Sequence, residues 1–228
     1  MRNVMLIGGI YHPFEEAAPA LASILDDLGI ESVITADVDE AVAELETADM
    51  FTLYALRWRM LNDEKYVPFL REWAYELPEE HADRIQNFVE EGGAMLGLHT
   101  ASICFDTWYE FPKLLGGAWR WGETFHPPIG DIEVRCASEH QATSGVGTFT
   151  LHDEVYHDLA IENDSQVLLE GRVPDGAWQP ISWSHDVEEG RVLYSALAHD
   201  KASIEQPKHA QFIKQSVAWL VGLEGEDE

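Results

Sequence analysis

"GAMLGLHTASICF", Gly93 to Phe105, is the stretch on which the fold turns. Its first half is a short apolar run of buried-strand character, and it stops at His99 before small residues that open a helix. A buried α/β strand brings its most informative side chain to its carboxyl end, where the chain leaves the sheet and ligands gather. His99 is therefore the first candidate for a functional group.

The neighbouring segments supply the rest of such a sheet. "NVMLIGG" from Asn3 is a strand closed by two glycines, and "AAPALASILDDLG", Ala17 to Gly29, has apolar residues at helical spacing before a glycine stop. "ESVIT" from Glu31 and "ADMFTLYAL" from Ala48 are further strands, with a short acidic helix over Asp39 to Leu45 between them. "EEHADRIQNFVEEGG" is the helix that leads into "AMLGLH". Strands and helices alternating at this length predict a parallel, doubly wound sheet with helices on both faces. Arg57 to Pro78 is an aromatic-rich insertion longer than a usual connection, of the kind that forms lids or partner surfaces.

The second half has shorter strand candidates, from Ile132, Gln166, Gln179 and Gly190, read as additions to the sheet edge plus a return to its centre. An amphipathic helix from Pro207 closes the fold. The length fits one elaborated domain, residues 1–222, followed by a frayed acidic tail over 223–228.

Composition excludes several classes of function. Forty-two acids face 14 bases, a formal net charge of -28, which opposes binding to a phosphate backbone. The acids are spread along the chain and lysine is scarce, five against nine arginines, as on a surface adapted to high salt. No apolar run is long enough to span a membrane, and the start of the chain lacks the pattern of a signal peptide, so the expected location is the cytoplasm. Cys104 and Cys136 have neither disulfide-framework nor zinc-finger spacing.

His12, His99 and His199 each follow a strand candidate, so a doubly wound sheet can bring them into one crevice. His126 in "GETFHPP" and the group Asp153, Glu154, Tyr156 in "LHDEVYHD" can join them. Histidine beside carboxylate serves as general acid and base near neutral pH or as a ligand set for a divalent metal. Against this, His12 before Pro13 can cap a helix, His99 can be a satisfied core histidine, and His126 can be a loop strut. His81, His140, His185 and His209 are read as surface residues. Trp58, Trp108, Trp119, Trp121 and Trp183 offer faces to a sugar ring, although tryptophan more often packs a core.

In order and spacing, "HPF" at His12, "GLHTA" at Gly97, "LLGGAW" at Leu114, "FHPP" at Phe125, "DEVYH" at Asp153 and "GRVLYSALAHD" at Gly190, with the closing "AWL", resemble the ThuA (trehalose utilisation) family over nearly the whole chain. The resemblance implies a class I glutamine amidotransferase-like fold, a flavodoxin-like three-layer α/β/α sandwich with a mainly parallel sheet. In amidotransferases of this fold the matching strand-to-helix turn presents a nucleophilic cysteine in a Gly-x-Cys-x-Gly setting. Here the run is Gly97, Leu98, His99, Thr100, Ala101, with Cys104 too far on to replace it, so no glutaminase activity is expected. Relatives often have His-Pro before the last helix, where this chain has Gln206-Pro207.

The resemblance implies a substrate class, trehalose or a related disaccharide or keto-sugar, rather than a reaction. The leading expectation is a carbohydrate-processing enzyme with His99, Glu154 and His199 as catalytic groups or as ligands to a divalent metal such as zinc. His12, Trp108, His126, Asp153 and Tyr156 then bind substrate. The alternative is a noncatalytic sugar-binding or regulatory protein with a degenerate crevice. The aromatic insertion further predicts a homo-oligomer.

Overall fold

The computed structural model describes residues 1–223. In the first half β1 (Arg2–Gly8), α1 (Phe14–Asp26), β2 (Glu31–Thr35), α2 (Val38–Glu44), β3 (Met50–Ala55), α3 (Leu70–Trp73), α4 (Glu79–Glu90) and β4 (Ala94–Leu98) alternate as the hydrophobic pattern predicts. A single 3₁₀ segment, His99–Ile103, stands where a helix was expected after β4. There follow α5 (Phe111–Leu115), β5 (Gly117–Ala118), β6 (Gly130–Cys136), β7 (Phe149–Asp153), β8 (Ala160–Ile161), β9 (Gln166–Arg172), β10 (Gln179–Val187), β11 (Gly190–Ser195), α6 (Lys201–Glu205) and α7 (Pro207–Leu220). The tail beyond Leu223 lies outside the described residues.

Nine strands form one sheet in the order β2-β1-β3-β4-β11-β10-β9-β6-β7, and β5 pairs with β8 apart from it. The first five strands are mutually parallel and each later neighbour is antiparallel, so the large central sheet is mixed, with its parallel part at the β2–β11 end. Burial separates the two halves. Every residue of β3 and β4 is buried, the continuous apolar run of a strand covered on both faces, whereas β7 alternates buried and exposed.

Helices close over this sheet through apolar stripes. On α1 the stripe is Phe14, Ala17, Ala18, Leu21 and Leu25; on α4 it is Ala82, Ile85 and Val89. Helix α7 begins with Pro207 at its first turn, and Gln206 caps it by accepting from the backbone N–H groups of Lys208 and His209. Its buried stripe runs from His209 through Phe212, Ile213, Ser216 and Val217 to Leu220. Gln206 is thus a structural cap.

Two expectations about burial are corrected. His209 is fully buried and His185 is nearly so, because one lies on the inner stripe of α7 and the other on an inward-facing position of β10. Within the aromatic insertion Trp58, Met60, Tyr66 and Leu77 are buried too, so much of it packs inward. Leu61 and Val67 are the large apolar side chains it leaves exposed.

Candidate functional site

The strand order reverses between β1 and β3, and the crevice outside their carboxyl ends is where an open α/β sheet collects ligands. The connection after β1 has to reach over the end of β3 to meet the end of β4. Gly9 permits this: its φ is +145°, and a Cβ there would stand 2.9 Å from the Leu56 carbonyl oxygen. The far edge of the sheet arrives at the same place. Strand β7 runs in the same sense as β11, and a bulged β10 with shifts at Ser182 adds twist between them. Residues Asp153 and Glu154 at the end of β7 thereby meet Ala198 and His199 beyond β11.

One donor atom each from His12, His99, Glu154 and His199 lies within 4.8 Å of all the others. His99 Nε2 is 3.2 Å from His199 Nδ1 and 3.6 Å from Glu154 Oε2, and His199 Nδ1 is 3.7 Å from Glu154 Oε1. Tetrahedral coordination at about 2.1 Å sets neighbouring ligand atoms about 3.4 Å apart, which these separations bracket. His12 completes the set with its ring 4.8 Å from that of His99 and 4.7 Å from that of His199.

Backbone carbonyls orient two of the rings. His99 Nδ1 donates to the Ala196 carbonyl at 2.6 Å and His12 Nδ1 donates to that of Ile10 at 2.9 Å. In both rings the proton is on Nδ1, which leaves the Nε2 lone pair for the cluster. Burial, reinforced by the other imidazoles, lowers the pKa of His12 to about 2; burial lowers that of His99 to about 3, and it lowers that of His199 as well. All three are neutral nitrogen donors at physiological pH. Burial and then the charge of Asp153 push Glu154 up to about 7. A divalent cation among these four atoms would hold the carboxylate ionised.

Strained backbone marks the same three strand ends. His99 has φ +51°, Tyr11 before His12 has φ +66°, and Ala198 before His199 has φ +85°. Left-handed conformations at non-glycine residues cost of order 1–3 kcal/mol each and persist only where the surroundings enforce them. At His99 the enforcement is visible. Its carbonyl accepts from the Tyr194 hydroxyl at 2.7 Å, and Thr100 Oγ1 donates to the Ala55 carbonyl at 2.7 Å.

Asp153, expected as a substrate ligand, is fully buried and works through its neighbours. Oδ1 accepts from the Glu154 N–H at 2.7 Å; Oδ2 accepts from the N–H groups of Ala198 at 2.9 Å and His199 at 3.3 Å and from the Ser203 hydroxyl. One carboxylate so fixes two of the four donors. Tyr156 and His126 flank the cluster: the Tyr156 hydroxyl is 3.4 Å from His99 Nε2, and His126 Nδ1, on a partly exposed ring, is 3.3 Å from Glu154 Oε1. Burial raises the Tyr156 pKa and keeps the phenol protonated.

Trp108 is not brought to the cluster; it packs against Phe105 and Phe111. Trp119 takes the place expected of it, with its ring 5.1 Å from Tyr156 and 6.1 Å from His126. The role of His12 as a fourth donor was not anticipated from the sequence, and neither was the bridging by Asp153. The His99 ring is fully buried and hydrogen-bonded at both nitrogens, so it is packed into the core as well as facing the cluster. Cys104 is buried as well, with its thiol on the Ala55 carbonyl and its pKa pushed up to about 12 by burial, which disfavours the thiolate.

The family model described as "Trehalose utilisation", ThuA, matches residues 7–220. The chain belongs to the ThuA family. No curated protein matches it in sequence. A ThuA-like protein of Parabacteroides merdae has the same fold at a TM-score of 0.77 and 15% identity, over 100% of this chain and 92% of that one. A second, from Bacteroides uniformis, gives 0.70 at 17% identity over 96% and 91%. A cytoplasmic protein of Salmonella typhimurium LT2 gives 0.63 at 16% identity over 98% of each chain. Among the described residues of this ThuA protein no helix is long and apolar enough to cross a membrane.

Proposed function

We propose that this ThuA protein is an enzyme of carbohydrate metabolism, acting on trehalose or a related disaccharide or keto-sugar at a divalent-cation centre formed by His12, His99, Glu154 and His199. The observation that carries the reading is the convergence of four donor atoms within 4.8 Å at the carboxyl ends of strands from both halves of the sheet. Three neutral imidazoles and a carboxylate, without cysteine, suit zinc or another divalent ion of the first transition row. The finer architecture we assign is the flavodoxin-like three-layer sandwich of the amidotransferase-like proteins, with histidine where the nucleophilic cysteine would stand and hence no glutaminase activity.

A cation bound here supplies Lewis acidity toward a sugar carbonyl or hydroxyl. The chain's own groups handle the proton. Glu154 has Oε2 turned to His99 and Oε1 turned to both His199 and the half-exposed His126, so His126 sets a polar ring between the carboxylate and solvent. The Tyr156 hydroxyl, kept protonated by burial, is a donor for negative charge that develops on a substrate oxygen. We further propose a cytoplasmic location, a surface suited to high salt, and self-association through the exposed Leu61 and Val67 of the insertion.

The test is elemental analysis and zinc and manganese titration of the purified protein, with a screen of disaccharides and their 3-keto forms. Expected is about one ion per chain, lost in His199→Ala, with a disaccharide or its 3-keto form bound or converted. A wild-type protein that takes up no divalent ion removes the centre; one that takes it up but neither binds nor converts any sugar removes the carbohydrate reading.

A further inference from the structure

An unbroken path of aromatic rings leads from the donor cluster to the surface. His99 lies 5.2 Å from Tyr156, Tyr156 lies 5.1 Å from Trp119, and Trp119 lies 5.8 Å from Trp121, measured between ring centroids. Trp121 is 41% exposed, yet its inner face stacks on the buried Trp58 at 6.1 Å and 22°. Trp58 packs on Tyr66, which also stands 6.5 Å from the exposed ring of Tyr11. Tyr11 is the residue before His12, held there in a left-handed backbone conformation.

Two exposed aromatic faces are thus braced from behind by core residues and joined to the polar cluster. A braced aromatic face binds a ring with a flat C–H side at little entropic cost, and the donors at the other end of the path take hydroxyls. The formal charge of -28 disfavours a phosphorylated or otherwise anionic ring. What fits is a neutral polyhydroxylated ring. Trp119 stands between Tyr156 and Trp121 in this path, so Trp121 is left to a second, glycosidically linked ring when the first ring lies at the cluster.

We propose that Trp121 and Tyr11 form an outer subsite for the second ring of a neutral disaccharide whose first ring lies against the His/Glu cluster. The inference rests on the carbohydrate reading above and specifies how much of the substrate the site recognises.

The experiment is calorimetric titration of trehalose and of glucose into the zinc-loaded wild type, Trp121→Ala and Trp121→Phe, with zinc content and sedimentation measured on each. Trp121→Ala should weaken trehalose at least tenfold while glucose affinity and zinc content stay unchanged, and Trp121→Phe should restore most of the loss. Equal weakening of both sugars, or no weakening of trehalose, overturns the subsite. A changed sedimentation coefficient in Trp121→Ala with trehalose affinity intact overturns it too, by showing that a second copy of the chain covers this face. Wild type that binds zinc and neither sugar overturns the carbohydrate reading and the subsite with it, an outcome distinct from failure of the subsite alone.

Discussion

The two ends of the parallel strands have the same sheet and opposite character. At the amino end a cavity of about 890 Å³ opens between Met1, Asp49, Arg84, Ala94, Arg191 and Gly222, lined by acids and bases of mixed sign and by no histidine. Its lining residues with positive φ are glycines, Gly92 and Gly222, for which that conformation costs little. At the carboxyl end the donors His12, His99, Glu154 and His199 bring one ligand atom each within 4.8 Å of one another, and positive φ values fall on Tyr11, His99 and Ala198. Converging lone pairs, rather than volume, single out the candidate site, and three left-handed non-glycine residues lie beside it.

If that contrast is right, removing a donor at the carboxyl end should have an effect that no change at the amino end reproduces. Glu154→Gln and His199→Ala should each weaken zinc binding by more than about 100-fold, beyond the roughly 10–100-fold that loss of an outer hydrogen-bonding partner costs. Arg84→Ala, in the large cavity, should leave it unchanged. Competition titration with a chromophoric chelator measures all three. Equal affinities across the set would erase the distinction between the two ends.

Asp153→Asn sharpens it further, because Asp153 touches no ligand position and acts through Glu154 and His199. An amide keeps the volume but cannot accept from the Glu154, Ala198 and His199 N–H groups and from Ser203 all at once. A loss of zinc affinity of about 10–100-fold is expected. Ser203→Ala, which removes one donor to Asp153 and leaves its charge, should lose less. Near-wild-type affinity in Asp153→Asn would make the residue a core element only.

Much of this was legible beforehand, for identifiable reasons. Continuous apolar runs such as Met50–Ala55 and Ala94–Leu98 announce strands covered on both faces, and their helical partners carry a 3.6-residue stripe. His99 comes directly after such a strand and His199 four residues after β11, so both are legible as candidates for the crevice. Their neighbours were harder to read. Strand β7 lies four strands from β11, and no periodicity states that a twisted antiparallel edge brings Asp153 back to Ala198. His12 was read beside the substrate because the reach of its loop depends on the contact of Gly9 with Leu56. His209 was misplaced because an inward imidazole on an amphipathic helix looks like a polar surface position until the stripe of α7 is known.

Protons should separate the two ends as well. In the metal-free protein the lowered pKa values of His12, about 2, and His99, about 3, mean that only the unfolded chain binds protons as the pH falls below about 6.5. Their contribution to stability is complete above that pH and is lost on acidification. Glu154, raised to about 7, has the opposite sign: its contribution is present below about 4.5 and is lost as the pH rises through 7. Between those limits two imidazoles outweigh one carboxyl, so stability should fall with falling pH by up to about 1.4 kcal/mol per unit. Urea midpoints at pH 7, 6 and 5 give the slope. His12→Gln should flatten it and Arg84→Ala should not; a slope of reversed sign would count against neutral donors.

Salt should produce the smallest change, and it acts on the surface that both ends share. A net charge of -28 leaves most carboxylates with no base to pair with, since even full pairing would engage only 14 of 42. The ion pairs that do form, such as Arg172 with Glu133 and Lys214 with Asp27, are half-exposed or exposed and individually weak. Repulsion among the remaining acids extends over a Debye length, about 10 Å at 0.1 M salt and 3 Å at 1 M, so molar salt removes most of it. Each kcal/mol recovered should raise the melting temperature of a chain this size by roughly 2–4 °C. Thermal melts of the metal-free protein in 0.1, 0.5 and 2 M potassium chloride should climb steadily, and Arg84→Ala should follow the same curve. A flat or falling midpoint would show that the acidic surface is not adapted to salt.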